Sequence, residues 1–170
     1  MVLARLVIIA FLAASLGAFG QARGCDTPES KQLDFWVGDW DLTYGDGGKG
    51  RNRISKILDG CAILEEFSGA PGVQLDGRSV SMFDRTSGRW KQAWVDNSGA
   101  YLDFVGSTDN GNPVFSREAT ARDGRKFLQR MIFIDVKPQG FTWLWQRSDD
   151  GGASWKTSWE IRYERVKGKG

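Results

Sequence analysis

The sequence predicts an all-β fold: about ten antiparallel strands joined as successive hairpins, with a short helix ahead of them. Three observations carry this reading. Turn-forming pairs recur at short, regular intervals from Asp46-Gly47 to Asp150-Gly151. The runs between them are rich in aromatic and β-branched residues, and several alternate apolar with polar at a period of two. No helical repeat, linker or low-complexity stretch interrupts the series, as expected of one sandwich or barrel domain.

The N-terminus reads as a secretory signal over residues 1–22. Arg5 precedes an apolar run that begins at Leu6, and small residues follow to Gly20. The run is short of the roughly 20 apolar residues of a comfortable membrane span. Cleavage after Gly20 or after Ala22 fits the small-residue rule, leaving a mature domain over 23–170 without a membrane span. Two alternatives are a retained N-terminal anchor and a lipoprotein acylated at Cys25. Arg23 stands against the second, because small residues are wanted just before the acylated cysteine.

Asp26-Thr-Pro-Glu29 then supplies a capping residue, a first-turn proline and an acid, so a short helix is expected over about 28–35. From Asp39 the pattern changes. Trp40, Leu42 and Tyr44 alternate with Asp39, Asp41 and Thr43, which marks the first strand. Turn residues then separate strands expected at about 39–45, 51–58, 61–68, 78–84, 89–96, 101–107, 113–120, 125–136, 140–148 and 155–165.

Composition narrows the chemistry. The net charge is +2, and the basic C-terminal stretch from Arg165 is short, so no nucleic-acid partner is expected. The chain has no histidine. That removes Ser-His-Asp and Cys-His catalysis, the commonest metal ligand and the usual haem ligand, and no cofactor or metal is expected. Two cysteines, Cys25 and Cys61, in an exported chain favour one disulfide; two inert thiols are the alternative.

Eight tryptophans are many for 170 residues, and most fall at same-face spacing: Trp90 with Trp94, Trp143 with Trp145, Trp155 with Trp159. Such faces make either a filled core or the wall of a small-molecule cavity. Gln92, between Trp90 and Trp94, favours a cavity, since a buried amide needs a partner. The residues expected to line it are Trp40, Ser81, Gln92, Trp94, Arg130, Trp143 and Trp145. Glu65-Glu66 is the acidic pair to weigh. Adjacent strand residues face opposite sides, so the two form no close dyad. One is expected inside, opposite Arg130, either as an anchor for a polar ligand end or as a structural ion pair.

Ser148-Asp-Asp-Gly-Gly-Ala-Ser-Trp155 fits Ser-x-Asp-x-Gly-x-x-Trp and resembles the Asp-box hairpin of sialidases and other β proteins, where it is structural. One copy cannot make a propeller, which repeats such units. Phe35-Trp-Val-Gly-Asp-Trp40 carries the Gly-x-Trp that opens lipocalin-type barrels, in which the tryptophan plugs one end and a basic residue of the last strand covers it. Arg162 or Arg165 would take that part. Together with Leu58-Asp-Gly-Cys61, Gly77–Asp84 and Gly88–Asp96, these segments resemble a bacterial family of exported calycin-like proteins of unknown function, akin to lipocalins, fatty-acid-binding proteins and nitrobindins. The resemblance implies a ten-stranded antiparallel meander barrel and a periplasmic or secreted location, but no reaction. Nitrobindin haem binding does not carry over, because its histidine is absent.

Three functions follow: binding of a small lipophilic or amphipathic molecule in the barrel, an interaction or structural module with a filled tryptophan core, or an enzyme using Glu65, Glu66 or Asp96. The first requires a cavity, the second its absence, and the third a carboxylate inside with a raised pKa.

Overall fold

The computed structural model describes residues 25–167; the signal segment read at 1–22 lies outside them. Ten strands follow one another: β1 (Gly38–Tyr44), β2 (Lys49–Ile57), β3 (Ala62–Ser68), β4 (Asp76–Asp84), β5 (Arg89–Asp96), β6 (Tyr101–Asp109), β7 (Asn112–Thr120), β8 (Lys126–Lys137), β9 (Gly140–Ser148) and β10 (Lys156–Arg165). Each pairs antiparallel with its neighbours in sequence, and β1 also pairs with β10, so the meander closes into a barrel. Closure pairs the two strands that would otherwise be open edges.

The expected short helix is two 3-10 turns, Glu29–Lys31 and Asp34–Trp36. Leu33, between them, leaves helical geometry (φ −102°, ψ 11°). Local side-chain bonds compete with helix propagation here: Thr27 N–H donates to Ser30 Oγ at 3.0 Å and Ser30 Oγ donates to the Thr27 carbonyl at 2.8 Å.

The odd-to-even strand connections lie at one end of the barrel and the even-to-odd ones at the other, as a meander requires. The second end also receives the N-terminal segment, which plugs it. Leu33, Trp36, Trp40 and Phe133 are all at most 2% exposed there. Trp40 Nε1–H donates to the Trp36 carbonyl at 2.8 Å, and Trp36 meets Phe133 edge-on at 5.5 Å. The Arg165 guanidinium stacks 4.2 Å over the Trp40 ring and donates to the carbonyls of Phe35, Val37 and Pro138 at 2.9–3.2 Å. Arg165 therefore covers the tryptophan, while Arg162 lies beside Glu160 on the exposed face. Gly38 makes room for this stack: its φ is +144°, and a Cβ there would collide with Arg165 Nη1. A Cys25–Cys61 disulfide, Cα to Cα 4.9 Å, fastens the plug to the β2–β3 connection. The thiol alternative is thereby set aside.

Two irregularities decide which side chains face inward. Register shifts between Thr157 and Trp159 on β10, and between Ile134 and Lys137 on β8, where Asp135 has a positive φ of 54°. One extra residue inverts the facing of everything beyond it. Trp155 and Thr157 consequently do not share the inward face of Trp159, Ile161 and Tyr163, contrary to the period-two reading.

Candidate functional site

Between the plug and the open end lies a cavity of about 300 Å³. Its wall is aromatic: Trp94 from β5, Phe104 from β6, Trp143 and Trp145 from β9, Trp159 from β10 and Phe67 from β3. Trp143 and Trp145 lie nearly parallel at 6.2 Å, and Trp159 meets Trp143 edge-on at 5.9 Å. Phe67 contacts both Trp94 and Trp159 edge-on, at 5.9 and 6.0 Å. Leu75, Asp96, Leu102 and Gln129, all half-buried, line it toward the mouth. Gly77 permits the Trp94 ring to lie flat across β4, since a Cβ there would overlap the indole.

A polar cluster sits in this apolar wall. Glu65, 6% exposed, accepts from Asn52 Nδ2 at 2.7 Å on one oxygen and from Ser79 Oγ at 2.6 Å on the other. Gln92 Nε2 donates to Ser81 Oγ at 2.9 Å and Ser79 Oγ at 3.2 Å, and Asn52 Nδ2 also reaches the Tyr163 hydroxyl at 3.1 Å. Gln92 Oε1 is buried without a partner. Burial pushes the Glu65 carboxyl up, outweighing the stabilising bonds from Ser79 and Asn52. Burial, reinforced by the neighbouring Glu65, also pushes the Tyr163 phenol well up.

Asp96 behaves oppositely. Partial desolvation would raise it, but donation from Ser98 Oγ, Trp94 Nε1 and the amides of Ala100 and Ser98 outweighs that and holds the carboxyl below the usual range.

Of the residues expected at the site, Gln92, Trp94, Trp143 and Trp145 line the cavity. Ser81 stands behind it, fully buried, as the acceptor that orients Gln92. Trp40 belongs to the plug. Arg130 requires correction: Gln129 and Met131 line the cavity, so Arg130 between them faces outward. It donates to Gln146 Oε1 at 2.7 Å and to Asp109 Oδ2 at 2.9 Å, and its guanidinium lies 4.1 Å over Trp155. No Glu65–Arg130 pair forms. Val114, Ile132 and Leu144 are cross-strand neighbours on this outer side, so the apolar residues flanking Arg130 mark the exterior. Glu66 also faces out, 3.8 Å from Arg78.

The sequence reading missed Asn52, Ser79 and Tyr163. Asn52 had a signal. Lys49, Arg51 and Arg53 are all basic, which assigns the alternate residues Gly50, Asn52 and Ile54 to the interior.

No protein-family model matches this chain, and no curated protein does. The arrangement itself is a ring-lined chamber with one buried carboxyl, and the polar cluster around it holds two unpartnered amide oxygens, Gln92 Oε1 and Asn52 Oδ1. It can enclose an apolar body and meet one polar end of it. Among the described residues no cluster of His, Cys, Asp and Glu could hold a metal ion, and no helix is long and apolar enough to cross a membrane.

Proposed function

We propose that this protein binds a small lipophilic or amphipathic molecule inside the barrel, through the mouth at the open end. One observation carries the reading: a cavity of about 300 Å³, walled by tryptophan and phenylalanine and holding the Glu65–Gln92 polar cluster. That is the makeup of small-molecule sites, largely apolar with few placed polar groups, and it reaches the lower bound of their usual volume, about 300 Å³. A module with a filled tryptophan core would leave no such space.

We also propose that the chain is an exported member of the calycin-like group it resembles. Support comes from Arg165 stacked over Trp40 at the plugged end and from the Cys25–Cys61 disulfide, which belongs to an oxidising compartment.

The test is quenching of tryptophan fluorescence in the mature protein by a panel of fatty acids, retinoids and aromatic metabolites, aromatic amines among them. Saturable quenching by at least one member, weakened severalfold in Trp94→Phe, is the expected result. A flat response across the panel sinks the binding reading.

A second reading has one observation in its favour. Glu65 is a carboxyl inside the cavity with a raised pKa, as a general acid or base requires. Turnover of any bound panel member, abolished in Glu65→Gln while binding persists, would shift the assignment from carrier to enzyme.

A further inference from the structure

We infer that the cavity is selective for an organic cation, an amphipathic amine whose ammonium group meets Glu65 and Gln92 while its apolar body lies against the tryptophans. This rests on the binding reading and adds the chemical class of the ligand.

Charge decides the sign. Two carboxylates line the cavity, Glu65 in its wall and Asp96 toward the mouth, and none of the residues lining it is lysine or arginine. The arginines nearest in the fold are turned to other work. Arg130 is outside on Asp109 and Gln146. Arg165 is behind the Trp40 plug. Arg78, the cation that bears on Glu65, donates to the carbonyls of Phe67 and Gly77 and lies by Glu66. Arg117, cross-strand from Gln129, donates to its Oε1 at 2.8 Å from outside the lining, and Arg147 donates to Asp149 and lies over Phe127. An anionic head seated beside an ionised Glu65 would meet a like charge with no lysine or arginine in the lining to offset it, which makes a fatty carboxylate the poorer partner.

Hydrogen-bond accounting points the same way. Ser79 and Asn52 already donate to Glu65, and Gln92 spends its NH₂ group on Ser81 and Ser79. Beside Glu65 the capacity left over is that of acceptors, the carboxylate lone pairs and the unpartnered Gln92 Oε1, while the unpartnered donor of the lining, Trp36 Nε1, belongs to the plug at the other end. An N–H donor satisfies both, and a buried acceptor left without one is costly.

The aromatic wall supplies the third term. Glu65, Ser79 and Trp94 are successive cross-strand partners, so the carboxylate and this indole share one row of the inner surface. Phe67 and Trp159 continue the wall. Indole faces attract cations, most strongly where water is excluded.

The experiment compares three ligands of one skeleton, 3-phenylpropylamine, 3-phenylpropan-1-ol and 3-phenylpropanoate, by calorimetry at neutral pH and low salt. The amine is expected to bind at least roughly tenfold more tightly than the alcohol, a difference of about 1.4 kcal/mol, with the carboxylate weakest. In Glu65→Gln the amine's advantage over the alcohol should vanish while the alcohol still binds; its binding also shows that the variant is folded. Equal or tighter binding of the alcohol or the carboxylate by the native protein overturns the inference and leaves the binding reading standing. Amine preference that survives Glu65→Gln overturns it as well. If none of the three binds, the inference falls, and the wider quenching panel decides the binding reading separately.

Discussion

Glu65 carries a cost that depends on pH. Its carboxyl is held above its value in the unfolded chain, near 4.3, chiefly by burial. Its contribution to stability is therefore fully present below that unfolded value and is lost as pH rises through the folded one. Glu65→Gln should converge with the native protein in acid and be the more stable of the two as pH rises. Urea midpoints measured from pH 4 to 8 check this; parallel curves would mean that Glu65 stays neutral across the range or that its burial is relieved. Asp96 runs the other way: its depressed carboxyl stabilises the fold above its unfolded pKa, and that support disappears as pH falls through the folded value. With no histidine in the chain, the midpoint near neutrality reports Glu65 with little interference.

Among the elements, the β9–β10 hairpin is the one whose local sequence dictates its form most completely. Ser148 Oγ accepts from the Gly152 amide at 2.8 Å and donates to Asp150 Oδ1 at 2.6 Å. Asp150 then accepts from the amide and hydroxyl of Ser154 at 2.9 and 2.6 Å. Gly151 and Gly152 take positive φ, and a Cβ on Gly152 would sit 3.6 Å from the Trp155 ring. These bonds depress the Asp150 carboxyl strongly, so Asp150→Ala should lower the melting temperature and speed amide exchange in β9 and β10 before the rest of the barrel.

At the plug, Gly38→Ala should cost about 1–3 kcal/mol through overpacking against Arg165. A chemical-denaturation midpoint unchanged within error would mean that the Arg165 stack is dispensable.

The strands themselves were legible from turn chemistry and alternation, because both are local. Every boundary falls within two residues of its expected place. The inward face was legible on β5 and β9, where Trp94, Trp143 and Trp145 alternate without interruption. It failed on β8, where Phe127, Met131 and Phe133 face in while Leu128 and Ile132 face out, so hydrophobicity does not distinguish the sides. Near the start of β10 it failed for another reason: the extra residue at Ser158 breaks the period, and nothing in the local composition announces it. Arg130 was misplaced by the first ambiguity, and Trp155 by the second.

For the molecule as a whole, the two ends are unequal. One is bound by a disulfide, a stacked arginine and an interdigitated aromatic plug; the other is edged by turns and half-buried side chains around the cavity. Replacing Cys25 and Cys61 with serine closes no loop of 36 residues in the unfolded chain, and should cost about 3–4 kcal/mol by loop-closure entropy. A loss well under that range, measured by denaturant titration, would show that the plug docks without its tether.

The pairing of β1 with β10 has a further consequence. Topologically the barrel is a circle, and the point where the polypeptide is cut is incidental to its hydrogen-bonded order. Trp40 lies opposite Arg165, and the Val166 amide donates to the Asp39 carbonyl, which brings the start of the first strand and the end of the last to the plugged end. A circular permutant joined there by a flexible linker and reopened at Asn110-Gly111 would turn the pairing of greatest sequence separation into a hairpin contact. Its cavity should be unaltered, and its refolding rate should stay close to the native one, because the long-range closure has only moved from β1–β10 to β6–β7; a change of roughly tenfold or more in a stopped-flow trace would show that the order of closure matters.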